Sequence, residues 1–205
     1  MNPASIVRVT FKQQMLQARE EAIVKTVNRL LAEKGFEAMT VDEVAAQVGI
    51  AKASLYKHFA SKEALAVAAM LRVIRLMQDF IQALPAEAPA LENLRAVVRW
   101  TLEAQLAADM PSLPNPNSSL RATLVANQDY MAGVRVLRDR LSTWIAAAQA
   151  AGALNPTLPA IAILYTFYVR ACDPGLAFLR MDGLYQDEQI VDMVMCTCFD
   201  GVNAR

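Results

Sequence analysis

TVDEVAAQVGIAKASLYKHFASKEAL, Thr40 to Leu65, reads as two short helices joined by a tight turn and running into a third. Val41, Val44, Ala45 and Val48 recur at i, i+3, i+4 and i+7, which is one apolar helical face. Gly49 follows, where a helix ends in a left-handed residue that only glycine adopts without steric penalty. Thr40 with Glu43 three residues later has the spacing of a capping box, and Ser61 caps the helix that comes next. Ile50, Leu55 and Phe59 carry the apolar side onward. Lys52, Ser54, Tyr56, Lys57 and His58 are left facing outward; all are hydrogen-bond donors and none is acidic. A helix that enters a DNA major groove needs that division of faces.

Working outward, the chain is 205 residues long, 55% hydrophobic and 20% charged, with only 7 Gly. Such a composition excludes disorder and, being rich in Ala, Leu, Met, Gln and Arg, points to an all-α fold. Upstream, Gln14 to Lys34 has helical periodicity, with Ala22, Ile23, Val27, Leu30 and Leu31 as its buried stripe; Gly35 stops it and Phe36 covers its end. Residues 1–13 form a flexible arm carrying Arg8 and Lys12, either a tail or a strand that reaches a minor groove.

Downstream, a helix runs from Lys62 to about Leu84, and Pro85 and Pro89 bracket a break. Ala90 to Asp109 follows, with Leu91, Leu94, Val97, Val98, Leu102 and Leu106 on one face. The segment MPSLPNPNSS, residues 110–119, is a loop from which Ser118 or Ser119 caps the next helix. Leu120 to Gly152 is helical in pattern and broken near Gln128 to Gly133. The apolar run LPAIAILYTFYVRAC is interrupted at Asp173-Pro174, because proline lacks a donor and clashes with the preceding turn. After a turn at Asp182-Gly183, Tyr185 to Phe199 is the last helix. About nine helices are expected.

Net charge is zero, but all six lysines precede residue 63. Residues 1–65 carry nine Lys/Arg against seven Asp/Glu, and the remainder eleven against thirteen. Lysine suits phosphate as a point charge. Cys172, Cys196 and Cys198 make no disulfide framework and read as small apolar residues, a redox sensor being the alternative. With one His in the chain, no Gly-rich phosphate loop and no ligand cluster, neither catalysis nor a metal or cofactor is expected. The N-terminus lacks the apolar run of a signal peptide, and no stretch is long enough to span a bilayer, so a cytoplasmic protein without membrane contact is expected.

The run Glu33-Lys34-Gly35-Phe36, Thr40-Val41, Gly49-Ile50, Leu55-Tyr56-Lys57-His58-Phe59 and Ser61-Lys62-Glu63-Ala64-Leu65 resembles the TetR family of transcriptional regulators. The resemblance covers Arg19 to Leu65, about a quarter of the chain. It departs at Ala51, where the family often has Ser or Thr, and at Ala53, where it often has Gly. The missing hydroxyl at Ala51 removes a helix cap worth ~1 kcal/mol.

The resemblance implies a helix-turn-helix DNA-binding domain at 14–61 and an effector-binding and dimerisation domain at 62–205. It implies a homodimeric repressor, released from a pseudo-palindromic double-stranded DNA operator by a small-molecule effector. Contacts to DNA would come from Thr40, Lys52, Ala53, Ser54, Tyr56, Lys57, His58 and Lys62. The two recognition helices would lie about 34–36 Å apart.

Polar residues embedded in apolar helices are the effector candidates: Arg99, Glu103, Tyr130 and Arg170, with Trp100, Tyr165 and Tyr168 as walls. Asp173 belongs with them and either pairs with Arg170 or serves a ligand. The Ala- and Met-rich surroundings suit an apolar or aromatic effector. Ile161, Leu164, Tyr168, Ile190, Val194 and Cys198, on the last two long helices, are the expected dimer interface. The alternative is a helical ligand-binding or adaptor protein of the same fold that no longer binds DNA specifically.

Overall fold

The structure is a computed structural model that describes residues 10–111, 118–170 and 175–202. Arg8, Cys172, Asp173-Pro174 and most of the 110–119 loop lie outside the described residues, as does the Lys12 side chain. The protein is all-α. The helices are α1 (Phe11–Ala38), α2 (Val41–Val48), α3 (Lys52–Tyr56), α4 (Lys62–Ala83), α5 (Ala90–Leu106), α6 (Ser119–Ala126), α7 (Gln128–Ala150), α8 (Ala160–Arg170), α9 (Gly175–Met181) and α10 (Asp187–Phe199). Taken together, α8 and α9 correspond to the interrupted eighth helix of the sequence pattern. Among the described residues no helix is long and apolar enough to cross a membrane.

The ends of the helices follow side-chain chemistry, with three departures from the pattern. First, α1 begins at Phe11 rather than Gln14, because Thr10 and Gln13 form a reciprocal capping box. Gly35, at φ 77°, leaves the helical path as expected, and only a short turn follows it to Ala38. Second, the Thr40 hydroxyl accepts from the Glu43 amide at 3.2 Å, but the box is only half made. The Glu43 carboxylate instead pairs with Lys34 on α1, a full charge being a better partner than a backbone amide. Third, the break inside 120–152 falls at Asn127, whose Oδ1 accepts from the Tyr130 amide at 2.8 Å. Asparagine is a strong N-cap, and here it ends one helix and starts another.

Two apolar cores are built. Ile23, Val27, Leu30, Val44 and Leu55 from α1 to α3 pack with Leu65, Ala66, Ala69 and Met70 of α4, and with Leu120 and Leu124 of α6. Leu94, Val98 and Leu102 of α5, Ile145 of α7, Phe167 of α8 and Ile190 and Val194 of α10 make the second.

Between them, α4 crosses α7 with almost no clearance. A Cβ added at Gly133 would stand 2.6 Å from Ile74 Cγ2. That atom sits on a β-branched carbon, so it has little freedom to yield. In an open helix Gly133→Ala would gain about 1 kcal/mol. Here overpacking of about 1–3 kcal/mol opposes it, and urea unfolding should show a net loss of stability. Ile74→Ala should restore the propensity gain in the double variant, so the two substitutions should be strongly non-additive.

Candidate nucleic-acid interface

The turn between α2 and α3 is set by backbone. Gly49 lies at φ 75° and ψ 33°, and the Gly49 and Ile50 amides close the end of α2 onto Ala46 and Ala45. Only five residues long, α3 is held from behind by Leu55, which is 0% exposed, and continued by the Phe59 amide bonding the Leu55 carbonyl at 3.0 Å. Its N-cap is Ala51, which makes no side-chain cap, as the sequence implied. The short helix is therefore positioned by packing rather than by its own stability.

The front of the motif is uneven. Thr40, Lys52, Ala53, Tyr56 and Lys57 are exposed, Tyr56 by 45%, and Ser54 is half-buried. Lys52 Nζ donates to Asp42 Oδ2 at 2.9 Å, and that bond lifts the ammonium above the ordinary lysine range. Lys62 turns back toward α1, with Nζ 3.2 Å from the Glu37 carbonyl oxygen and 4.4 Å from the centre of the Phe36 ring. Arg29 reaches Gln47 at 2.7 Å and so braces α1 to α2.

His58 differs from its neighbours. Its side chain is only 9% exposed, and Nδ1 lies 3.1 Å from Glu20 Oε1 on α1. It was expected beside Tyr56 as a phosphate contact, yet the fold commits it to an internal bond. Sequence spacing gave the face but not the partner 38 residues away.

The effector candidates fall in different settings. Arg99 pairs with Asp192 of α10 at 2.6 Å and approaches Glu103 at 3.8 Å. Trp100 stacks on Phe80 of α4, with ring centres 5.4 Å apart. Tyr130 packs beside the N-terminal core. Tyr165 and Tyr168 are exposed and meet edge to face. The Arg170 carbonyl accepts from Gln105 at 3.3 Å, and its guanidinium reaches the Cys198 thiol. An open depression of about 630 Å³ at the α6–α7 junction, lined by Val125, Asp129, Met131 and Arg135 among others, contains none of them.

Two groups that sequence reasoning passed over are more unusual. Asn28 is 1% exposed; its Nδ2 bonds the Asp109 carbonyl, while Oδ1 has no partner among the described residues. Arg72 Nη1, on α4, is likewise buried without an acceptor among the described residues. Asn28 sits among Val24, Val27 and Leu31, so its polarity within a buried stripe was a readable signal. Of the expected interface residues, Ile161 and Tyr168 are exposed and Cys198 is partly so, whereas Leu164, Ile190 and Val194 turn into the subunit's own core, Ile190 being 0% exposed. Apolar periodicity marks a face that needs covering and does not say by whom.

Residues 23–69 match the family described as bacterial regulatory proteins, tetR family. That match takes in α2, α3 and the facing parts of α1 and α4, which are the helix-turn-helix and the helices that pack on it. YerO of Bacillus subtilis (strain 168), an uncharacterized HTH-type transcriptional regulator, is 48% identical over 54 residues, 26% of this chain and 19% of YerO. The chain spans less than half the length of the curated relatives it matches.

In overall fold, the fatty acid degradation regulator FadR from Bacillus halodurans superposes with a TM-score of 0.68 at 18% identity, covering 91% of this chain and 97% of that one. FadR from Bacillus subtilis, solved in complex with stearoyl-CoA, superposes with a TM-score of 0.64 at 18% identity, over 89% and 99%. At that identity the likeness is one of fold. It extends the TetR-type architecture over the C-terminal helices as well.

Two outcomes follow from this geometry. Glu20→Ala should weaken DNA binding as His58→Ala does, and neither should change its salt dependence, because both act by holding α3 against α1 rather than by touching phosphate; anisotropy titrations over a range of NaCl measure this. Burial pushes the Cys198 thiol up, against the pull of Arg170, while Cys196 is exposed. Maleimide labelling at neutral pH should therefore modify Cys196 well before Cys198.

Proposed function

We infer that the protein is a homodimeric repressor that holds a pseudo-palindromic operator through two copies of α3 and releases it when a small apolar ligand enters the C-terminal helices. The observation that carries DNA contact is the geometry of α3. Leu55 fixes its back to the core, and its front offers Lys52, Ala53, Tyr56 and Lys57 with no acidic side chain among them. Thr40 at the start of α2 adds exposed amides and a hydroxyl of the kind that bind phosphate. Ala53 offers a methyl to a thymine and Lys52 a donor to guanine, while the remaining contacts position the protein without reading sequence.

Support for the dimer comes from the outward face of α8. Ile161, Tyr165, Tyr168 and Val169 are exposed there, and Phe178 and Met181 of α9 are exposed as well. Contiguous apolar surface of this kind is covered in a stable protein. Support for the ligand comes from Arg72. Its buried guanidinium nitrogen, with no acceptor among the described residues, is suited to a ligand oxygen. An apolar molecule bearing an acidic or carbonyl group meets that need, and the stearoyl-CoA found in FadR of Bacillus subtilis is of that description.

A gel shift against the DNA upstream of the protein's own gene, at stated salt, tests the reading. One fragment should be retarded specifically, at a mass corresponding to two 22.5 kDa chains per site. Long-chain acyl-CoA at saturation should release it and raise the melting temperature by mass action. Absence of specific retardation at every salt concentration would favour the adaptor alternative.

A further inference from the structure

The cations around the front of the helix-turn-helix are mostly already engaged. Lys34 is held by Glu43, Lys62 by the Glu37 carbonyl and the Phe36 ring, and Lys52 by Asp42. Among the described residues the Lys57 ammonium meets no acceptor, so it is the cation freely offered to DNA. Asp42 is the unusual member of this set. It lies in the first turn of α2, where a carboxylate suits the helix dipole, but Glu43 already meets that need. Asp42 is mostly exposed, on the same front as Thr40 and Lys52, where a negative charge opposes the approach of phosphates.

We propose that Asp42 determines specificity: its carboxylate holds the Lys52 ammonium against α2 until the base edges or phosphates of a matching site outcompete it. This rests on the reading of α3 as the DNA-contacting helix. Non-matching DNA then meets one cation fewer than the operator does, and since phosphate neutralisation supplies most non-specific affinity, one cation is a large share on a domain of such modest charge. The pair is well exposed on both sides. Exposed ion pairs are weak, and a weak pair is what a reversible latch requires.

The test titrates the full-length protein with a random-sequence DNA duplex over a range of NaCl. Asp42→Asn should tighten random-duplex binding about fivefold at low salt and steepen the logarithmic salt slope by about one. Asp42→Asn/Lys52→Ala should lose the gain, and Asp42→Glu should retain the wild-type slope.

A gain that persists without Lys52 would show that Asp42 merely repels phosphate and would overturn the latch, as would an unchanged affinity in Asp42→Asn. Circular dichroism melts accompany each variant, and Asp42→Ser serves in place of Asp42→Asn if the latter melts below assay temperature. If the folded wild-type protein binds no duplex at any salt, the fault lies with the DNA-contact reading itself.

Discussion

Helix α4 is the constraint on which the other arrangements depend. Its first turns, from Leu65 to Met70, complete the core that fixes α1, α2 and α3. Its middle meets α7 at the Ile74–Gly133 crossing, where there is no room for a methyl group. Near its end Phe80 stacks on Trp100 of α5. One helix of 22 residues is thus gripped at three levels by three different partners. Interiors packed to this density respond to a shift by moving as units, not by bending locally. A change of tilt in α4 must either open the crossing with α7 or carry the Ser61 cap, and with it the short connection to α3.

Electrostatics sets a second constraint on the same face. A zero net charge gives the protein no general pull on nucleic acid, and three of its six lysines, Lys52, Lys34 and Lys62, are partnered internally by Asp42, Glu43 and the Glu37 carbonyl. Affinity for DNA then has to come from fit, because little is left for indiscriminate attraction. The Glu20–His58 bond belongs to this economy: it spends the chain's one histidine on holding α3 in place.

Most of the fold was legible because local chemistry decides it. Gly49 at positive φ, the Ser61 cap and the buried Leu55 lie where periodicity and turn chemistry put them. The half-made box at Thr40 and the start of α1 at Phe11 were less legible, since each depends on a competition between partners that spacing cannot rank. The recognition face was legible as a face. What could not be read was pairing at long range: Lys52 with Asp42, His58 with Glu20, Arg99 with Asp192. In the C-terminal half the same limit weighs more. Leu164, Ile190 and Val194 carry the apolar pattern of an interface and fill their own core, while Ile161 and Tyr165 on the same helix as Leu164 remain outside.

Two polar ties connect the C-terminal helices to the DNA-facing side by a route other than α4. Asn28 of α1 bonds the Asp109 carbonyl just after α5, and Ser118 at the head of α6 bonds Glu37 near the end of α1 at 2.9 Å. Both span 81 residues of sequence, and both lie on the helix that braces α2 through Arg29 and holds α3 through Glu20. A ligand that repositions α5 or α6 therefore acts on α1 directly, and through it on the setting of α3. Coupling of this kind is reciprocal in free energy. Under the reading of α3 as the operator-binding helix, DNA that fixes α3 also fixes α1 and with it the ends of α5 and α6. Operator binding then disfavours the ligand by the same factor that the ligand disfavours the operator. Among the described residues the Asn28 Oδ1 at one of these ties is buried and without a donor. A buried acceptor left in that state costs about 1–3 kcal/mol, and any rearrangement that supplies it a partner recovers that energy.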